Sequence, residues 1–519
     1  MEAAAARPDR GHSAARWLCA AVALAQLLTH FAVNARGGYG FFRDEFYYLA
    51  CSRHLAAGYV DLPPLSAFLL ALQSALFGTS LFALRLFPAL AGAVVVFLTG
   101  TLALRLGAGR AGAVIASLGC ACSPLVLAFT GFYSMNAFDL LFWVVAVHLF
   151  VSALADSRPR TWIALGLVCG LGMLNKIDAG WLVAGIFVGM LATPQRRLLK
   201  TPWPWIAASI AALTFTPFVA WNFQHDFAHL EFIHNASSEK YAGLSAWSFI
   251  EGQIPAQHPL NVPLWLAGLG FLLFAERGER HRALAWIWLT AFTVLVLHGH
   301  SKPEYLTAAY PLLFAAGGAA FDVPQERWFA RVVKPMYAAL LVVSTIFIVP
   351  LVLPVLPVET YIAYAERLGV KPDSAEGKEL SKLPQFYADM FGWQAKVDAV
   401  ARAFSKLTPA ERADCAIFAS NYGRCGAIDF LGKAHALPDS VGSHNSCWIW
   451  GPRQFTGKVM LVLADDLGGR EALFESTEVS EHVPHDAYCL PYENDLKVFL
   501  CRGLKQPLAE LWPQLRHYD

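Results

Sequence analysis

FALRLFPALAGAVVVFLTGTLAL, residues 82 to 104, carries a single charge, Arg85, close to its start. At about 1.5 Å per helical residue such a run is long enough to cross a hydrocarbon core of about 30 Å. About eleven apolar runs of this kind can be read along the chain, near 17 to 35, 82 to 104, 111 to 131, 137 to 154, 161 to 175, 179 to 193, 203 to 221, 259 to 275, 283 to 299, 304 to 320 and 335 to 356. The composition agrees: of 519 residues 56% are hydrophobic and only 15% charged, outside the usual range of a soluble enzyme. The expected fold class is an α-helical polytopic membrane protein with about eleven transmembrane helices.

Basic residues orient those helices. Arg7, Arg10 and Arg16 precede the first run, and further clusters follow at Arg105 with Arg110, Arg158 with Arg160, QRRLLK ending at Lys200, ERGERHR from Glu276, and Arg327 to Lys334. They recur at every second loop, which the positive-inside rule reads as a cytoplasmic N-terminus. An odd number of spans then puts the last 160 or so residues outside. A signal peptide ending near Ala35 is the competing reading of the N-terminus, but its apolar run exceeds the usual length of about 7 to 15 residues. The net charge of +1 gives no reason to expect a nucleic-acid partner.

Two loops on the outer side are long, 36–81 and 222–258, whereas the inner loops are short. Long ordered loops in a compact fold are usually functional, so recognition or chemistry is expected outside. The expected domains are a membrane module over 1–356 and a small extracytoplasmic α/β domain over 357–519. In the latter, CAIFAS from Cys415, KVMLVLADD from Lys458 and LKVFLCRG from Leu496 read as strands, and segments ending near Phe404 and starting near Ile428 as helices. The ten cysteines read as small buried hydrophobes, although Cys425 with Cys447 or Cys489 with Cys501 could be oxidised in the tail.

The first long loop opens FFRDEFYYLACSRHLAAGYVDLPPL, residues 41 to 65, with Asp44, Glu45 and Asp61 among aromatic side chains. A helix is expected over Glu45 to Ala57, ended by Gly58, with Asp44, Tyr48 and Ser52 on one face. The plainer reading makes Asp44 an N-cap and Glu45 a first-turn acid; the functional one makes a partly desolvated carboxylate of raised pKa, suited to a general base. Arg43, Arg53, Arg85, Lys176 and Lys302 lie on the outer side against the charge bias, each explicable by snorkelling but together able to bind a phosphate. Asp139 and Asp178 are possible partners of Lys176. His225 and His229 in WNFQHDFAHLEFIH have the i, i+4 spacing of a helical metal pair, with exposed loop histidines as the safer reading. NYGRCG, from Asn421, follows a strand without matching a nucleotide fingerprint and reads as a tight turn.

RDEFYYLACSRHLAAGYVDLPPL, LRLFPALAG, LGMLNKIDAG, WNFQHDF and KPEYLTAAYPLLFAAG, taken in order, resemble bacterial members of glycosyltransferase family 39, over residues 20 to about 355. LPQFYADMFGW, NYGRCGAIDF and SHNSCWIWGP extend the likeness into the tail. The resemblance implies a GT-C fold, a multi-pass place in the bacterial inner membrane, and transfer from a polyprenyl-phosphate-linked sugar donor to a hydroxyl of a lipid, glycan or protein acceptor. Asp44, with Glu45 beside it, falls at the family's catalytic position. Lys302 and Tyr305 of KPEYL, then Arg85 and Lys176, are the candidates for the donor phosphate. Tyr48, Asp61, His225 and Asp139 are candidates for contacts to acceptor, sugar or loops. No cofactor is called for with certainty; the need for a divalent metal ion stays open, with Glu45, Asp61, His225 and His229 as candidate ligands. One departure is Leu62 in DLPP, where the family often has a polar or basic residue, which counts against a contact at that position.

Two alternatives share parts of this pattern. An O-antigen-ligase or polymerase type transferase has the same outward site but a diphosphate-linked donor. A lipid-carrier transporter without transferase activity would tend to show inverted repeats and midplane polar groups, neither of which is evident.

Overall fold

The structure, a computed structural model, describes residues 10–156, 158–323, 326–374 and 376–519, so Arg7 lies outside it. The chain divides into two compact units, one of Met1–Gly38, Phe82–Val219 and Leu244–Val355, the other of Tyr39–Leu81, Ala220–Gly243 and Leu356–Asp519. The tail from Leu356 lies in the second unit. Most of the two long loops groups with the tail, as residues 39–81 and 220–243, while 36–38 and 244–258 stay with the first unit.

Every apolar run read from the sequence falls on a helix or a helical pair. Five helices among the described residues are long and apolar enough to cross a membrane: His12–Ala35, Leu81–Arg105, Met135–Asp156, Trp203–Gln224 and Phe329–Val352. A sixth span arises if Arg110–Ala121 and Pro124–Gly131, bent by 59°, count as one. The bend has a local cause, since Pro124 lacks the N–H that would continue the first helix. Other runs form shorter apolar helices, including Ala179–Ala192, Pro259–Phe274 and Ala283–His298. In the first unit, helices meet where side chains vanish: a Cβ on Gly112 would lie 2.1 Å from the carbonyl oxygen of Gly318. Such backbone contact is the usual solution for helices that cannot rely on water to drive them together.

The second unit is built on a five-stranded sheet: β1 (Cys415–Ala419), β2 (Val441–Gly442), β3 (Val459–Ala464), β4 (Phe474–His482) and β5 (Lys497–Leu504), in the order β2-β1-β3-β5-β4. β1 pairs in parallel with β2 and β3, and β5 is antiparallel to β3 and β4. The three expected strands are present; β2 and β4 are additional. The helices that position the site are α1 (Arg43–Arg53), α2 (Trp393–Ser405) and α3 (Tyr422–Leu431).

Two expectations about these helices are corrected. α1 begins at Arg43 rather than Glu45, because the Arg43 N–H bonds to the carbonyl of Asp389 and the Phe42 N–H is taken by Glu45 Oε2 at 2.9 Å. It ends four residues before Ala57, where the Tyr59 hydroxyl donates to the carbonyls of Cys51 and His54 and satisfies its last turn. NYGRCG is not a tight turn but the start of α3, with Asn421 Oδ1 accepting the Arg424 N–H at 2.8 Å as an N-cap. Gly426 lets α3 lie directly on α1, since a Cβ there would stand 2.5 Å from the carbonyl oxygen of Phe46. Aromatic side chains complete the contact: Phe41 packs on Phe430 at 5.2 Å and Phe46 on Trp393 at 5.5 Å. All ten cysteines are buried and free, as small hydrophobes would be.

Candidate active site

The carboxylates of the first long loop meet quite different surroundings. Glu45 is fully buried and caps its own helix. Asp61 accepts the Tyr47 hydroxyl at 2.6 Å, and Ser446 in turn donates its N–H to that hydroxyl at 3.3 Å. Asp44 is not an N-cap. It is the second residue of α1, its side chain 35% exposed, with Oδ1 accepting Arg43 Nε at 3.3 Å and the Tyr422 hydroxyl at 3.0 Å.

Arg43 is the hub of this cluster. Besides Asp44 it reaches Asp389 at 3.4 Å and Glu376 at 3.6 Å, and Lys240 bonds the same Glu376 oxygen at 3.4 Å. Its guanidinium also lies over the Tyr422 ring, 5.4 Å from the centroid. Burial pushes the Asp61 carboxyl up to about 6, with the charge of Asp44 adding and the Tyr47 bond opposing. Burial likewise raises Asp389 to about 7, against the pull of Arg43.

That shift has a sign. The folded chain holds the Asp389 proton more tightly than the unfolded chain, whose carboxyl titrates near 3.8, so this group's stabilisation is full below about pH 4 and lost as the pH rises to about 7. Asp389→Asn is therefore expected to flatten the decline in melting temperature between pH 5 and pH 8. Parallel melting curves for the two proteins across that range would refute it.

Around the second loop, the helical pair possible for His225 and His229 does not form, and His229 is buried rather than exposed. The first helix ends at Gln224, before His225; Asp226 and Phe227 both take left-handed backbone angles (φ 52° and 56°), and Asn222 Oδ1 caps the next helix at the His229 N–H. His225 Nδ1 faces the Trp221 carbonyl at 2.8 Å and His229 Nδ1 the Val60 carbonyl at 2.8 Å. Among the described residues, one trio of potential ligands converges, and it includes none of Glu45, Asp61, His225 or His229: it is His444, His517 and Asp519, with atoms within 4.8 Å of one another. Yet His444 Nδ1 accepts the Tyr422 N–H at 3.4 Å, so the ring hydrogen sits on Nε2, which donates to Asp519. A ligating imidazole needs a free lone pair on one nitrogen and a donor on the other, so the trio is a hydrogen-bonded chain rather than a ligand set.

In the first unit, Lys176 lies 2.6 Å from Asp178 and 3.7 Å from Asp139, with its ammonium 5.7 Å from the ring centre of Tyr305. The pairing of Lys176 with both carboxylates thus holds, and Lys176 and Tyr305 are brought together. Lys302 bonds Glu304 at 3.4 Å. Arg85 is buried at the start of the helix Leu86–Arg105. Tyr48 is buried, and the neighbouring Tyr47, which sequence reasoning passed over, makes the contacts to Asp61 and to the Tyr422 ring at 4.9 Å.

The family model described as dolichyl-phosphate-mannose-protein mannosyltransferase matches residues 61–221. A lipid A galacturonosyltransferase of Rhizobium johnstonii is 23% identical over 324 residues, 60% of this chain and 68% of its own. The crystal structure of ArnT from Cupriavidus metallidurans bound to undecaprenyl phosphate superposes with a TM-score of 0.62 at 14% identity, covering 92% of this chain and 97% of the other. Its apo form gives 0.57 at 15% identity over 92% and 94%. Over part of its sequence and in its fold, the chain resembles GT-C glycosyltransferases of the family 39 type. Its several apolar helices and small C-terminal sheet are what the sequence led one to expect of a membrane protein of this fold. The family match spans Arg85, Asp139 and Lys176 but begins only at Asp61, so it does not reach Asp44.

Proposed function

We propose that this transferase moves a sugar from a polyprenyl-phosphate carrier to an acceptor hydroxyl on the extracytoplasmic face of the bacterial inner membrane, with inversion at the anomeric carbon. The observation that carries the reading is the state of Asp44, the carboxylate of the opening stretch that is neither fully buried like Glu45 nor bonded to Tyr47 like Asp61. In the reaction the acceptor oxygen forms a bond to the anomeric carbon, its proton passes to Asp44, and the bond from that carbon to the carrier phosphate breaks, the phosphate leaving with the electron pair. Glu45 fixes the helix that bears Asp44, and Asp61 with Tyr47 supports it from behind.

Cations stabilise a departing phosphate most where water is scarce. Lys302, Arg85 and Lys176, with Tyr305, take that role in this reading, although Lys176 stands between two carboxylates and contributes less net charge. Undecaprenyl phosphate in the related crystal structure supports a polyprenyl carrier, and the lipid A galacturonosyltransferase makes a lipid acceptor the first to try. The alternation of basic loops supports a cytoplasmic N-terminus and an extracytoplasmic tail.

The test uses the purified chain in vesicles, given the same labelled sugar on a polyprenyl monophosphate, on a polyprenyl diphosphate and on a nucleotide. Transfer is expected from the monophosphate alone, with the product anomer opposite to the donor's. Transfer from the diphosphate would place the enzyme with the ligases. Carrier movement across the bilayer without a new glycosidic bond would make it a transporter.

A further inference from the structure

We propose that Tyr422, in the C-terminal segment, is a positioning residue that holds Asp44 Oδ1 and so leaves Oδ2 as the proton acceptor. The inference rests on the reading of Asp44 as the general base. Asp44 Oδ1 takes both the Tyr422 hydroxyl at 3.0 Å and Arg43 Nε at 3.3 Å, and among the described residues Oδ2 accepts no hydrogen bond. A carboxylate with one oxygen doubly bonded to fixed donors has its free lone pairs aimed in one direction, which is what proton abstraction from a bound hydroxyl requires.

Tyr422 is built to stay in place. It is the first residue of α3, whose cap Asn421 is itself held by Glu493 Oε1 at 3.0 Å. Its ring is wedged between Tyr47 at 4.9 Å and His444 at 5.0 Å, with the Arg43 guanidinium across its face. Burial pushes its phenol well above the usual value, so it remains a donor throughout the working range. Tyr422 thereby makes the tail part of the catalytic machinery rather than an appendage of it.

Tyr422→Phe keeps the ring packing and deletes only the donor. The expected result is a fall in kcat of about 10- to 100-fold with the donor KM unchanged. The acid limb of the pH–rate profile should also move to higher pH, since the ionised carboxylate then has one donor fewer on Oδ1. Incorporating 3,5-difluorotyrosine at position 422, which keeps the hydroxyl and strengthens the donor, should move that limb the other way, and it serves as the probe if the phenylalanine variant does not fold. A parental kcat, or a lowered kcat with an unmoved acid limb in both variants, overturns the inference. The parallel Asp44→Asn measurement separates the two failures: if Asp44→Asn is inactive while Tyr422→Phe is parental, the base stands and the positioning role falls; if Asp44→Asn is active, both fall.

Discussion

Asp44→Asn is expected to abolish sugar transfer, by about 10²- to 10⁴-fold, the usual contribution of a general base, while the protein folds and binds its carrier as before. The argument is geometric. An asparagine carbonyl oxygen can accept the same two hydrogen bonds, from Tyr422 and Arg43, that Asp44 Oδ1 accepts now. Arg43 keeps Asp389 and Glu376 as partners, so no cation is stranded. What the amide cannot do is take a proton at neutral pH. Initial rates with a saturating polyprenyl-phosphate donor, alongside carrier affinity and melting temperature, decide the matter. A variant that transfers sugar at the parental rate would show that the base lies elsewhere.

The largest stability effect is expected at Glu493. Its buried carboxylate lies 3.3 Å from Lys396 and 3.1 Å from Arg424, both buried, and accepts the Asn421 side-chain amide. Burial alone would raise its pKa, but Arg424 and Lys396 hold it down at about 2. Its stabilisation is thus present above the ordinary carboxyl value of 4.5 and lost as the pH falls toward about 2. Glu493→Ala leaves two cations in the interior with no counter-charge, which typically costs about 3 to 5 kcal/mol. Because Arg424 and Asn421 both sit at the start of α3, the loss should appear first as protease sensitivity of the tail near Tyr422. A melting temperature within about 1 °C of the parent, for which that energy predicts several degrees, would refute the account.

How much of this could be read from residues alone varies with the distance over which the information lies. The membrane helices were legible because length and apolarity are local, and β1, β3 and β5 because each is a short apolar run between turn signals. β4 escaped notice because it is an edge strand: FESTEVSEH pairs only with β5 and shows mostly polar side chains to solvent. The start of α3 was hidden by two glycines that read as a turn, although Gly426 is there for close contact with α1. At the site, the DE pair stood out in the sequence, but the different surroundings of Asp44 and Glu45 did not. Helical spacing pointed to Tyr48, whereas the hydroxyl on Asp61 is that of Tyr47, and nothing in periodicity links Asp44 to a hydroxyl 378 positions away.

That separation bears on how the molecule is made. Ribosomes add about 5 to 20 residues per second, so Asp44 and Arg43 are made roughly 20 to 75 s before Tyr422 exists to receive them. For that interval a cluster of phenylalanines and tyrosines stands without its cover, and only completion of translation buries it. A nascent chain halted before residue 422 should consequently engage chaperones at this segment and release them once synthesis passes it.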